Sequence, residues 1–435
     1  MRRSCAISWD AFMPRLRTLT GGRDATTAVI PGKGTLSIGH PRTACPPGYE
    51  WRALSEFARL ESGHTPTRAR SEYWDGSIPW LSIPDATNNH GRVIFDTAQH
   101  VSETGVANSS TRLLPPGTVC LSRTASVGYV IQMGVEMCTS QDFVNWVCGP
   151  DLNPAYLRYI LMFEQESIRR FAHGTTHQTM YYPEAKALHA MMPSRLIQDS
   201  VAEVLGALDD KMVENRAVVQ DIDELVLCLF LQATEGAEKT PLSSIALVNP
   251  STLASAGHGT LRYVDIGALG VGSMPLPIQT AWSDAPSRAR RPVNKGDVLW
   301  STVRPNLRAH ALSLYEGSDL IASTGLAVIR PIEGDYAFVY ECVRTAAFTS
   351  HLVSSAAGSA YPAVRPGDIG CGPVPCLSIA DRRSFQSAAG PLRQRQWASL
   401  VENRSLAALR DALLPKLMSG ELRVRDAEKQ VEEVV

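Results

Sequence analysis

Between 205 and 229 one series of apolar residues runs Leu205, Leu208, Met212, Val219, Ile222, Val226 and Leu229, with Asn215 filling the one polar place in it. Alternating steps of three and four make a heptad seam. The seam predicts one long helix over 195–235 that needs a partner helix, because the stripe would otherwise face water. Gly236 and Pro241 close it. A second stripe, Leu392, Leu400, Leu406, Leu409, Leu413 and Leu417, predicts a helix over 381–420, with Pro415 and Gly420 as its stop signals. Met212-Val-Glu-Asn-Arg216 in the first helix returns as Ser399-Leu-Val-Glu-Asn-Arg404 in the second, so Asn403 is the repeat-mate of Asn215. A buried asparagine in such a seam costs stability and fixes register. The seam residues on the second helix are Leu400, Asn403, Leu406 and Leu413.

The segments before each helix also repeat. Pro116-Gly-Thr-Val119 leads to Leu121-Ser-Arg123, and Lys295-Gly-Asp-Val298 leads to Trp300-Ser-Thr-Val-Arg304. Short alternating runs at 78–83, 93–95, 118–121 and 129–133 read as strands bounded by Gly, Pro, Asn and Asp. Helical spacing follows over 153–170. The fold class expected is therefore mixed α/β. Two α/β modules, 46–194 and 236–380, would be joined by two long antiparallel coiled-coil helices in a pseudo-twofold internal repeat. Residues 1–45 show little periodicity and read as an irregular arm or a misplaced start; 421–435 form a tail.

Bulk properties narrow the class. A chain of 435 residues exceeds one ordinary core, and 44% hydrophobic with 20% charged residues is a globular composition. The longest apolar run, 225–231, is too short to span a bilayer, and no secretory signal is visible. Nine scattered cysteines without a Cys-x-x-Cys pair point to a reducing cytoplasm and away from zinc or disulfide frameworks. The net charge of −1 hides segregation: Arg288, Arg290, Arg291, Lys295, Arg304 and Arg308 cluster in the second module, while Asp209, Asp210, Glu214, Asp221, Asp223 and Glu224 crowd the first helix. Local patches of this kind, not totals, decide phosphate contact.

Four stretches resemble the specificity subunit of type I restriction–modification enzymes. They are Pro47-Gly-Tyr-Glu-Trp51 through Gly63-His-Thr-Pro66; Tyr73-Trp-Asp-Gly-Ser-Ile-Pro-Trp80; Met192-Pro193 through Leu208-Asp-Asp-Lys211 to Asn215; and Leu413-Leu-Pro-Lys-Leu-Met-Ser-Gly-Glu-Leu-Arg423. The chain departs from the family pattern at Arg195-Leu-Ile-Gln-Asp199, where a Glu-Gln pair is usual, and at Thr240-Pro-Leu-Ser-Ser244, which lacks an aromatic signature. The resemblance implies a non-catalytic reader of double-stranded DNA. Each module would be a target-recognition domain reading half of an interrupted sequence. The helices would be ruler and docking surface for two methyltransferase subunits, with endonuclease subunits in the full complex. S-adenosylmethionine, ATP and Mg²⁺ would then belong to those partners, with no cofactor or metal in this chain and no membrane contact. A helix of 25–30 residues spans ~38–45 Å, against ~34–36 Å for a turn of B-DNA.

Reading DNA wants Arg or Lys for phosphates and guanine edges, Asn or Gln for adenine, and hydroxyls or aromatics for fit. Two polar, glycine-led loops before the helices concentrate those types: one with His173, Thr175, Thr176, His177, Gln178 and Tyr181, the other with Ser359, Tyr361 and Arg365. Arg123 and Ser126 in the first module, and Arg290, Arg291, Arg304, Asn306 and Arg308 in the second, complete the candidate set. No catalytic residue is assigned. Asn153-Pro-Ala-Tyr156 departs from a methyltransferase motif and reads as a helix start, and no phosphate loop is present. Two alternatives stay open: the same recognition architecture in a type II-like assembly, and an Mg²⁺-dependent nuclease built on Asp151, Glu184 and Lys186.

Overall fold

The computed structural model describes residues 25–174, 178–254, 257–358 and 361–432. Contacts divide the chain into two units, Met1–Lys211 with Leu406–Val435, and Met212–Ser405. Both divisions fall inside long helices.

In the first unit the central sheet has five strands in the order β4-β8-β6-β7-β5, where β4 is Ala58–Ser62, β5 Arg92–Ile94, β6 Val119–Ser122, β7 Val130–Met133 and β8 Phe143–Cys148. All pairs are antiparallel except β5 with β7. β6 and β8 are buried along their whole length, as central strands covered on both faces must be. Asn153 caps the next helix, α1 (Pro154–Phe163): its Oδ1 accepts from the N–H of Ala155 at 2.8 Å and of Tyr156 at 3.2 Å. The helical pattern over 153–170 breaks at Glu164, so α2 is a separate helix, Gln165–Phe171. A second sheet contains β1 (Ile30–Pro31), β2 (Leu36–Ile38), β3 (Tyr49–Ala53) and β9 (Leu188–Pro193), ordered β1-β2-β9-β3. The expected irregular arm is thus ordered from residue 30: Leu36 and Ile38 are fully buried and pair with Ala190 and Leu188. The expected tail is helical over Val424–Glu432, with Ala427 and Val431 buried.

The second unit repeats the plan. Its main sheet is β11-β14-β12-β13, with β11 Ala246–Val248, β12 Val298–Ser301, β13 His310–Leu312 and β14 Leu326–Pro331. That order matches β4-β8-β6-β7. Helix α4, Tyr336–Arg344, stands where α1 does in the first unit. The counterpart of the arm-containing sheet has two strands, β10 (Lys239–Pro241) and β15 (Pro373–Pro375).

The long helices are α3 (Arg195–Ala233) and α5 (Ile379–Met418). Within the second unit their contacts run antiparallel: Asn215 Nδ2 donates to Asn403 Oδ1 at 3.1 Å, Gln396 to the Val219 carbonyl at 3.0 Å, and Arg393 to Asp223 at 2.7 Å. The repeat-mates Asn215 and Asn403 thus bond to each other. Leu205, Leu208, Met212, Asn215, Ile222, Leu406 and Leu413 are buried, whereas Val219, Leu400 and Asn403 are half-buried. Between 389 and 400 the leucine stripe gives way. Arg393 and Ser399 are buried there, and Leu392 is only partly so. The reason is a charge cluster: Arg393 bonds Glu341 and Asp223, and Arg344 bonds the same two carboxylates. Burial pushes Asp223 up, but the bonds from Arg344 and Arg393 outweigh it and hold the carboxyl below its usual range. In the first unit, Arg410 and Tyr159 meet on Asp209 at 2.9 and 2.7 Å.

Arg393 and Glu341 are each 1% exposed, so removing one partner strands a buried charge. Arg393→Met should lower stability by ~3 kcal/mol, read by urea denaturation. Replacing both asparagines removes two polar groups together, which is neutral or favourable. The double variant Asn215→Leu/Asn403→Leu should keep or raise the thermal midpoint; a fall would contradict the seam.

Candidate nucleic-acid interface

Each unit pairs two loops by backbone hydrogen bonds in the same pattern. In the first, Ser122 ends β6; its Oγ donates to the Ser126 carbonyl at 2.5 Å and accepts from the Tyr129 N–H at 2.8 Å. The loop 122–128 is thereby closed on its own strand end. It then meets the loop after α2: the Ala125 N–H donates to the Gln178 carbonyl at 3.0 Å, and the Met180 N–H to the Arg123 carbonyl at 2.8 Å. That second loop is itself pinched, with His173 and Thr179 exchanging N–H to carbonyl bonds at 2.9 and 2.8 Å.

In the second unit, the Arg304 N–H donates to the Pro362 carbonyl at 2.7 Å, the Val364 N–H to the Thr302 carbonyl at 2.9 Å, and Ala357 and Ala363 exchange bonds at 2.9 Å. The structural mate of Arg304 is therefore Ala125, not Arg123; both have left-handed backbones, φ 51° and 58°. Arg123 matches Thr302. Four non-glycine residues have positive φ among the described residues, and Ala125, Arg304 and Arg308 of these lie in the paired loops. Such conformations are held by their surroundings and cluster at functional sites.

The sequence candidates divide by environment. Arg304, Asn306 and Arg308 are exposed around a short turn, Pro305–Leu307. The Arg304 guanidinium lies 4.8 Å above the Tyr361 ring, itself 69% exposed, which presents a cation and an aromatic face together. Arg308 Nη2 is tied to the Arg344 carbonyl at 2.7 Å. Arg365 is exposed at the start of the turn Pro366–Gly370, its N–H held by Asp368. Arg123 is half-buried: Nε donates to the Gln141 carbonyl at 3.1 Å and its guanidinium covers Tyr182 at 4.9 Å. Ser126 is half-buried, its carbonyl bonded to Ser122. His173 stacks on exposed Tyr181 and faces Glu184 at 3.5 Å, and Gln178 is exposed beside them.

Arg290 and Arg291 do not join the set of outward cations. Arg290 Nε bonds the Ser287 carbonyl at 3.0 Å; Arg291 turns into the unit to bond the Leu326 carbonyl, and burial lowers its pKa. Thr175, Thr176, His177 and Ser359 lie outside the described residues. Among the described residues no group of three or more His, Cys, Asp or Glu could hold a metal. Two further residues are presented beside these loops or on the same unit's surface: exposed Leu307 in the turn Pro305–Leu307, and in the first unit Arg68, whose guanidinium lies 4.0 Å over Trp74. No spacing or composition signal marks either.

The model of the Type I restriction modification DNA specificity domain matches residues 46–219. The type I restriction enzyme MjaIX specificity subunit of Methanocaldococcus jannaschii is 25% identical over 420 residues, 88% of this chain and 95% of that one. The HindI specificity subunit of Haemophilus influenzae is 24% identical over 191 residues, 42% of this chain and 40% of that one. Among solved structures, the type I restriction–modification S subunit from M. genitalium shares the fold, with a TM-score of 0.55 at 16% identity, covering 87% of this chain and 98% of that one.

His310 underpins the second loop pair. It stacks on Trp300 with centroids 4.9 Å apart, and its Nδ1–H donates to the Arg308 carbonyl at 2.6 Å. Burial pushes its pKa down to about 4. An unfolded histidine titrates near 6.5, so below that pH the unfolded chain holds a proton the folded chain refuses. Its contribution is complete above pH ~6.5 and is lost as pH falls toward 4, by roughly 3 kcal/mol in all. Urea midpoints at pH 7.0 and 4.5 should differ in the wild type and differ less in His310→Gln.

Proposed function

We propose, from the premise that this chain belongs to the family of type I restriction–modification specificity subunits and so is a DNA-recognition subunit without catalysis of its own, that each unit reads one half of a bipartite target. The observation that carries the reading is the loop pair built twice on one backbone pattern with different side chains. A main-chain frame that keeps its shape while its side chains change suits two different half-sites. In the second unit Arg304, Asn306, Tyr361 and Arg365 meet the duplex; in the first, His173, Gln178 and Tyr181 do, with Arg123 setting the frame.

Helices α3 and α5 serve as an antiparallel coiled-coil spacer that sets the distance between the two readings. Their exposed apolar residues, Val213, Leu225, Leu227 and Val401 among them, together with the acidic face of α3, dock two methyltransferase subunits. Those partners, with endonuclease subunits in the complete assembly, supply S-adenosylmethionine, ATP and Mg²⁺ chemistry. Among the described residues no helix is long and apolar enough to cross a membrane.

Methylome sequencing of a host expressing the chain with its methyltransferase tests the proposal: one interrupted asymmetric motif should become modified. Arg304→Ala isolates the electrostatic part. Binding should weaken, and the slope of log affinity against log salt should fall by about one, as for one lost phosphate contact. An unchanged affinity and slope would show that Arg304 touches no phosphate.

A further inference from the structure

The arm at residues 30–38 precedes the family-matched segment, yet its turn is built around a residue inside that segment. The N–H groups of Lys33, Gly34, Thr35 and Leu36 converge on the Glu164 carboxylate at 2.7, 2.9, 2.6 and 3.1 Å, and the Thr35 hydroxyl adds a bond at 3.0 Å. Glu164 is fully buried. Successive N–H groups folded into a concave nest are an anion site, and here the anion is the chain's own carboxylate. The Gly32 N–H closes the turn on the Leu36 carbonyl at 2.8 Å. A Cβ on Gly32 would stand 2.4 Å from that carbonyl oxygen and 2.7 Å from Glu164 Oε2, so the turn requires glycine there. Beyond it, β2 adds to the edge of β9.

Glu164 is also the hinge between α1 and α2, and α2 holds both loops of the first unit. Gln165 Nε2 donates to the Gly128 carbonyl at 2.9 Å and Arg169 Nε to the Val127 carbonyl at 3.3 Å. The far end of α2 runs into His173, the first residue of the pinched loop. One short helix therefore connects the arm's anchor to loop 122–128 and to His173, which pairs with Thr179. In the second unit the chain after α4 reads Thr345-Ala346, with no carboxylate, and the matching sheet stops at two strands.

We propose that residues 30–38 are a strap that positions the recognition loops of the first unit through Glu164, a device the second unit lacks among its described residues. Glu164 is a positioning residue: it contacts the strap, not the target. The idea rests on the reading of those loops as DNA-contacting. The strap makes discrimination at one half-site, and not the other, depend on the arm.

The test uses the full chain with its methyltransferase partner. Glu164→Ala removes the anchor, and Gly32→Ala disrupts the turn from the arm's side while leaving the Glu164 side chain in the sequence. Both should raise amide exchange at residues 33–36, and also at Ala125 and Met180, by about 10-fold or more. Discrimination against single base changes should fall by about 10-fold in one half-site, and stay as in the wild type in the half weakened by Arg304→Ala. Glu164→Gln, which keeps one acceptor oxygen, should lie between. Faster exchange at 33–36 with Ala125 and Met180 unmoved would overturn the strap, as would equal losses in both half-sites. If every loop variant, Arg304→Ala included, leaves DNA binding intact, the DNA reading itself has failed. The strap is then judged on exchange at Ala125 and Met180 alone.

Discussion

The frame on which both candidate interfaces depend is a pair of main-chain hydrogen bonds joining two loops. A strand-end carbonyl, of Arg123 or Thr302, accepts from the far loop, and the residue two positions on, Ala125 or Arg304, donates back from a left-handed backbone. Neither bond uses a side chain. The geometry therefore survives an exchange of Ala for Arg at the same place, which is what two readers of different sequence require. Contacts that position a protein on DNA need constancy, and contacts that specify bases need variation. Placing constancy in the backbone lets the side chains diverge.

Beneath that frame the two units use buried charge differently. In the second unit, Arg393 and Glu341 are both nearly inaccessible, and the four-membered cluster with Asp223 and Arg344 joins α3, α4 and α5. Buried ion pairs contribute little net stability because desolvation offsets their attraction, but they penalise any register that leaves one charge alone. The Asn215–Asn403 bond acts in the same sense. A purely leucine seam would tolerate a slip of one heptad, whereas this one would strand the buried Arg393 and two amides.

Much of this was legible in the sequence, and the failures share a cause. The long helices and the repeat showed because periodicity is a local signal that integrates over dozens of residues. Strands 78–81 and 130–133 showed for the same reason on a shorter scale. The break at Glu164 did not, since the helical pattern runs on unbroken through residue 170. What ends α1 is a carboxylate answering five donors some 130 positions away in the chain. The arm looked irregular because two short strands carry no period and take their order from the edge of β9. Arg290 and Arg291 looked like a basic patch, yet a cation in such a cluster can turn inward when a carbonyl such as that of Leu326 waits there. The pairing of Arg304 with Ala125, and of Thr302 with Arg123, carries no residue-type signal, because strand ends align by hydrogen bonds.

The same contrast explains why the two interfaces are not equivalent despite a common frame. In the second unit the loop pair rests on rigid neighbours: Trp300 and His310 stack beneath it, and Arg308 is tied to the end of α4. In the first, the loop pair leans on α2, a helix of seven residues whose N-terminal residue follows directly on a buried carboxylate. So short a helix has little stability of its own. Its order must come from what holds its ends, and the backbone nest around Glu164 is the most heavily bonded anchor at that end.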